Sequence, residues 1–534
     1  MLQFSFSNGL YIEGNEEPIA EFDIWISKKI EKILISEDGK VIDRKIEYEI
    51  KAKTNAGKEL QCRRIDSIRK LDYFSLWDEI VDAVMTQNER KLLEARLQQS
   101  IASAIEEKRY VIERPGIYTL NDEKVYVVGT RVIKSEKNKC IIELAENIKG
   151  YVWKTFKKNT IYSDGFEQNY IQAEADTSIV LFFATLLGAI KPFFTAAGYN
   201  PVVCIMLYGK SGVGKTRLVK SICCLTNDKS MLWGSMLNDT KRDVLSSMAN
   251  AFGFVYVLDD FHPTVEKYTY NRQISLINAV LRRMEQVGKS PVVVMTAEQL
   301  DGEYSAQDRM LQLHVKNVNS TAINNIESGT SYMAKLAYDF VSVLMESYDD
   351  VIQDIDVAYS SLDETANRTR AERQGEELKI VAQLYGKYMG KDYTIQLKKA
   401  LENQMQTQKK HMDRIKMLDH EQDYILLFQK IIDGKGIYDI CTQENESKYR
   451  VKYNQYYMKR EIIYITKTAL EYGIKKYLQG NEKSICKKMI DSLREHGILL
   501  EDKDTTTKKF HNVRHLCISQ IALENYTEFK NTHV

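Results

Sequence analysis

Gly209-Lys210-Ser211-Gly212-Val213-Gly214-Lys215-Thr216 stands between an apolar run, Val202 to Tyr208, and a helical stretch that opens Arg217-Leu218-Val219-Lys220. The spacing is G-x-x-x-x-G-K-[ST], and strand, loop and helix follow in the order that pattern requires. Its glycines let successive backbone N–H groups turn inward around phosphate oxygens, and the helix start adds partial positive charge. Residues 209–217, Arg217 included, are therefore the expected nucleotide-binding stretch. Lys215 is placed to reach the β- and γ-phosphates, and Thr216 to ligate Mg2+ through its hydroxyl. ATP and Mg2+ are the expected cofactors. Thr240-Lys241-Arg242-Asp243 mimics a guanine-reading tetrad but precedes the acidic strand described next, which favours adenine over guanine.

Further along, Phe254-Val255-Tyr256-Val257-Leu258 is an apolar strand ending in Asp259-Asp260, 44 positions beyond Lys215. A carboxylate at the C-terminal end of a neighbouring parallel strand lies at the sheet edge where ligands bind. Asp259 reads as the metal ligand beside Thr216, and Asp260 as the general base for the attacking water. A third buried strand, Val292 to Met295, ends in Thr296-Ala297-Glu298, with Thr296 set to sense the γ-phosphate or to position the attacking water. Arg309, in Ala306-Gln307-Asp308-Arg309, can project into a neighbouring subunit's nucleotide and neutralise charge there. The expected catalytic set is thus Lys215, Asp260, Thr296 and Arg309. Arg370 and Arg373 are weaker candidates for a lid contact. A polar strand end, a strand cap and surface arginines are the plainer readings of these positions.

Apolar runs this continuous are strands buried on both faces, which belong to parallel sheets covered by helices. The expected fold class is α/β: an ATPase core at 173–330, an α+β domain at 1–172, a helical lid at 331–420 and a basic domain at 421–534. In the first domain, Lys45 to Ala52 alternates with period two and Ile30 to Ser36 does so more loosely, around a turn at Asp38-Gly39. Ser75 to Glu107 has helical spacing, and no catalytic constellation is visible in this region.

Over 534 residues, 44% hydrophobic and 28% charged content with a net charge of +1 excludes extensive disorder. Eight scattered cysteines without a C-x-x-C pair argue against a zinc cluster or disulfide scaffold and point to the cytoplasm. Met1 to Ser5 lacks a signal-peptide pattern. The run from Ser178 to Ile190 is apolar, but Lys191-Pro192 follows after about 13 residues, short of the roughly 20 a bilayer needs. A buried helix is expected there, and no membrane partner.

Taken together, the loop, Leu258-Asp259-Asp260-Phe261, Met295-Thr296-Ala297-Glu298 and Asp308-Arg309-Met310-Leu311 resemble an AAA+ ATPase. More narrowly, they resemble superfamily III and MCM-like helicases of bacterial mobile elements, the cassette chromosome helicase group above all. The resemblance implies a hexameric ring, ATP-driven translocation on DNA and a role in replicating an element. Thr296 departs from the asparagine of many relatives, and residues 1–172 show no primase or zinc motif.

The C-terminal part points to nucleic acid independently. From Ser447 to Val534 there are 17 Lys and Arg against 10 Asp and Glu, a balance of +7 in a chain of +1 overall. Thr466 to Leu478 and Glu482 to His496 read as helices. Ile498 to Leu500 and Lys509 to Ile518 can then pair as a hairpin around Asp502 to Thr505. That is winged-helix order, with the second helix facing the major groove. Lys483, Lys487, Lys488 and Arg494 on that helix, and Lys508, Lys509 and Arg514 on the wing, would contact phosphates with little sequence preference. A solvated basic face on a protein-docking domain is the plainer reading. Arg282, Arg283 and Lys289, before the third strand, are candidates for a pore contact.

Three functions remain open. One is a DNA-dependent ring motor. Another is an ATPase that remodels or signals to a protein partner, as in anti-phage defence, with residues 1–172 as a docking region. The third is a DNA-binding regulator with a slow ATP switch.

Overall fold

The computed structural model describes residues 2–36, 38–69, 76–77, 80, 86–156, 165–227, 232–261, 267–286, 288–298, 304–329, 331–363, 369–420, 424–434, 436–442, 448, 450–478, 482–500, 507–510 and 513–532. The chain divides into two compact units. Met1–Lys154, Thr226–Asp228 and Val341–Asp350 form the first, and the remainder forms the second.

The first unit is organised by a long hairpin. Phe22–Ile35 and Val41–Thr54 pair antiparallel, and Gly39, at φ +78, sits in the turn where Asp38-Gly39 was expected. Period two sends Ile24, Ile26, Ile50 and Ala52 into a core shared with Leu93 and Leu97 of the helix Gln87–Ser100. A capping box of Thr86 and Glu89 starts that helix. The helical pattern from Ser75 ends earlier than its spacing predicts. Ile105–Ile112 is a strand, parallel to Phe22–Ile35, so long-range pairing overrides the helix preference of its Glu and Lys residues. Residues 75, 78–79 and 81–85 lie outside the described residues. Ile141–Leu144 and Arg63–Ile65 complete this five-stranded sheet at its two edges. Gly116–Leu120, Glu123–Val128 and Arg131–Lys134 form a separate antiparallel sheet.

The second unit contains a five-stranded, all-parallel sheet. Its order is Trp233–Ser235, Val255–Phe261, Val292–Ala297, Cys204–Tyr208 and Leu311–His314. Ile205, Leu207, Val257, Leu258, Val293 and Val294 are buried on both faces, as their unbroken apolar runs require. In one respect the order departs from expectation. The acidic strand does not adjoin the strand that feeds the glycine loop, because Val292–Ala297 runs between them. Thr296 is thereby interposed between the loop and the acids.

Helix Ser178–Ala196 is buried from Ser178 through Phe194 and runs on through Lys191 and Pro192. The lysine does not end it because the charge has partners inside: Lys191 Nζ donates to the Ser290 carbonyl at 2.6 Å. Burial pulls the Lys191 pKa down to about 7, with the buried Glu377 carboxylate opposing that shift. Gly188 lets this helix approach the sheet, where a Cβ would come within 3.0 Å of the Phe254 backbone. By length and composition it could cross a bilayer, but 89% of its most apolar window is buried in protein.

Residues 331–420 are helical as expected, in Tyr332–Glu346, Tyr348–Asp363, Arg370–Met389 and Thr394–His420. Gly390, at φ +73, stops the third of these.

From Tyr424 onward the chain is richer in strands than its sequence implies. Asp439–Thr442, Gln455–Lys459 and Ile462–Ile465 precede the two helices and join Val513–Ser519 and Lys508–Phe510 in one sheet. The helices fall at Lys467–Leu478 and Glu482–Glu495, and Gly497 at φ +67 follows. The hairpin differs in detail from expectation. Lys508–Phe510 pairs with Val513–Ser519, while Ile498–Leu500 contributes only a bridge, Leu499 to Ile518. The turn predicted at Asp502 to Thr505 lies outside the described residues.

Candidate active site

The strand Cys204–Tyr208 delivers the glycine loop to the C-terminal edge of the sheet, and helix Lys215–Ile222 leaves from it. Gly212 and Gly214 adopt φ of +79 and +94, a left-handed conformation that side chains disfavour. At Gly209 the need is contact, since a Cβ would come within 2.4 Å of the Val315 carbonyl oxygen. Lys210 and Ser211 are exposed and Val213 is half-buried. Lys215 folds back over the loop, its Nζ donating to Gly209 O at 2.7 Å and Lys210 O at 2.9 Å. Burial lowers its pKa, while the negative charges of Glu298, Asp259 and Asp260 raise it. Of these three, Glu298 comes first, although its sequence position marks it only as a strand end.

One carboxylate oxygen organises the rest of the edge. Thr216 Oγ1 donates to Asp259 Oδ1 at 3.0 Å, and Thr296 Oγ1 donates to the same atom at 2.5 Å. Thr296 in turn accepts from the Asp260 N–H at 2.9 Å. The acidic strand bulges here. Leu258 pairs with Met295 and Phe261 with Ala297, leaving one extra residue, and Asp260 takes φ +68. A bulge re-aims side chains that would otherwise alternate strictly between faces. Such a conformation costs a non-glycine residue on the order of 1–2 kcal/mol. Two consecutive acids were visible in the sequence; the kink that presents them was not.

The donor set suits the cofactors the sequence implies. One carboxylate and one hydroxyl, already in contact, match the way Mg2+ is usually held, with phosphates and water completing its shell. The left-handed glycines and the close approach at Gly209 suit a loop whose backbone faces phosphate.

The remaining predicted residues lie elsewhere. Arg217 pairs with Glu327 at 2.5 Å and donates to Asn324 at 2.6 Å. Arg309 precedes Leu311–His314 and so sits at the N-terminal edge of the parallel sheet, opposite the loop. There Glu285 lies 3.5 Å from Arg309 and 3.0 Å from Arg370. Arg373 lies 3.8 Å from Glu377. Of the three pore candidates, Lys289 is half-buried over the Phe252 ring at 5.5 Å, and burial brings its pKa to about 8. Arg282 and Arg283 are exposed.

In the C-terminal region, helix Glu482–Glu495 buries Cys486, Met489 and Leu493 and exposes Lys483, Lys487, Lys488 and Arg494. Lys488 lies over the Tyr424 ring, and Arg494 pairs with Asp491 at 3.2 Å. Lys509 and Arg514 are exposed and stand directly opposite each other across the hairpin. Like charges so opposed are destabilising unless an anion lies between them. The Lys508 side chain lies outside the described residues.

Sheet order, glycine loop and paired acids define an α/β protein with a parallel-sheet core. No family model matches the chain. No curated protein matches it either. A solved structure described as "SCCmec type IV Cch - active helicase" is similar in fold, covering 98% of each chain with a TM-score of 0.50 at 14% sequence identity.

Proposed function

We propose that the protein is an ATP-hydrolysing motor of the AAA+ type that acts on DNA as a ring of identical subunits. The observation that carries this is the Asp259 oxygen shared by Thr216 and Thr296 beside the glycine loop. Residues 209–216 cradle the triphosphate, and Lys215 leaves its loop carbonyls to contact the β- and γ-phosphates. Thr216 and Asp259 hold Mg2+, which when bound neutralises charge on the phosphate oxygens. Asp260 takes a proton from the attacking water, and Thr296 keeps Asp259 and the Asp260 backbone in register.

Arg309 acts on a neighbouring subunit. The parallel strands put it on the edge away from its own loop, so its guanidinium serves the next copy's nucleotide. A hexamer in the cytoplasm is the assembly this reading implies. DNA enters through the basic C-terminal helix and hairpin, where the opposed Lys509 and Arg514 favour a phosphate between them. Residues 1–172 are left to dock a protein partner. Strand separation tests this reading: wild type with ATP and Mg2+ should unwind a forked DNA duplex, and Lys215→Ala should not. Wild type that hydrolyses ATP but never separates strands would remove the helicase part.

A further inference from the structure

Helices Lys241–Asn250 and Lys267–Gln286 line an open groove of about 330 Å³. Its polar lining is Lys241, Asn271, Ser275, Asn278 and Arg282, with no carboxylate among the lining residues. None of these five side chains has a hydrogen-bond or ion-pair partner among the described residues, and Lys241, Asn271, Ser275 and Arg282 are exposed. The acids on these two helices are engaged elsewhere. Asp243 caps its own helix through Thr240, and Glu285 holds Arg309 and Arg370.

The groove is elongated. Asn271, Ser275, Asn278 and Arg282 recur at helical spacing along one face, a stripe about 16 Å long at 1.5 Å per residue. Arg272 fixes Lys241 near the start of that stripe, because its guanidinium donates to Asn238 O at 3.3 Å and Asp239 O at 2.7 Å. One cation therefore stands at each end, with two amides and a hydroxyl between them. A single phosphate ion would meet only one end. A strand whose phosphates recur every ~3.4 Å along a duplex axis, or further apart when single, meets both.

We infer that this groove binds the phosphodiester backbone of a DNA strand on the ATPase core, apart from the C-terminal basic domain. The contact is to phosphate and sugar, so it carries grip and little sequence preference. It extends the DNA reading proposed above and rests on it.

The test is fluorescence anisotropy of a labelled single-stranded oligonucleotide with the full chain, measured across a salt series. Lys241→Gln/Arg282→Gln should bind about tenfold more weakly, with a salt slope shallower by about 1.5 for the two lost phosphate contacts. Its ATP hydrolysis without DNA should match wild type, which also shows that the variant is folded. Asn278→Asp, which puts a carboxylate mid-stripe and removes no cation, should weaken binding as well. Wild-type affinity and slope in both variants would overturn the groove while leaving a DNA motor intact. Wild type that binds no DNA would overturn both. Inorganic phosphate titrated calorimetrically forms the second arm: saturable binding by wild type, lost in the double variant without loss of DNA affinity, would make the groove a site for a free anion and overturn the assignment.

Discussion

The two edges of the parallel sheet are finished differently. At the C-terminal edge, Thr216, Asp259, Thr296 and the Asp260 N–H satisfy one another within a single chain. At the N-terminal edge, Arg309 Nε is buried without a hydrogen-bond partner among the described residues, and its guanidinium lies 3.5 Å from Glu285, which also holds Arg370. An unmet buried donor costs about 1–3 kcal/mol, a state that persists where something else compensates. One edge is satisfied within the chain; the other leaves a buried donor open, which is where the proposed function puts a second subunit.

Separating the edges by mutation should give the largest effect. Arg309→Ala is expected to lower turnover by about 10³–10⁵-fold, the range for an arginine supplied in trans, with nucleotide affinity little changed. Lys215→Ala should also be inactive. Mixed in equal amounts, the two variants should recover activity at about a quarter of their sites, because a head-to-tail contact pairs an intact loop with an intact arginine. No recovery, with mixed assemblies confirmed by native mass spectrometry, would place Arg309 in its own chain's service and erase the contrast.

Asp260 comes next. Asp260→Gly should cut turnover by about 10²–10⁴-fold, as loss of a general base does. It should leave thermal stability equal or higher, since glycine accepts φ +68 without strain. A clear fall in melting temperature would mean the bulge serves the fold rather than the chemistry. Thr296→Val removes the donor to Asp259 and should weaken apparent Mg2+ affinity by about 10–100-fold, read from the metal dependence of hydrolysis. The smallest effect lies outside the sheet. Arg514→Thr should lower the salt slope of DNA binding by about 1 and raise the melting temperature slightly, by relieving its opposition to Lys509.

Much of the C-terminal edge was legible in the sequence because loop chemistry fixes both residue type and spacing from Gly209 to Thr216. Its wiring was not legible. That Val292–Ala297 separates the loop strand from the acidic strand is a matter of sheet order, which local periodicity does not encode. The φ of Asp260 and the weight of Glu298 on Lys215 follow from that order. Arg309 stood out as a candidate by its place before an apolar strand, but its neighbour Glu285, distant from it in sequence, had no local signal at all. Ile105–Glu107 reads as the end of a helix for the same reason: the strand it opens, Ile105–Ile112, finds its partners some 77 residues away in Phe22–Ile35. The three strands ahead of the basic helices were missed because they are only four or five residues long, too short for their alternation to stand out.

The most direct test is steady-state ATP hydrolysis by the full chain, with and without single- and double-stranded DNA, using Lys215→Ala as the blank. Hydrolysis that rises severalfold or more with DNA, and loses that rise as salt is added, is the expected result. Robust hydrolysis indifferent to every DNA would contradict the assignment and turn the search toward a protein partner.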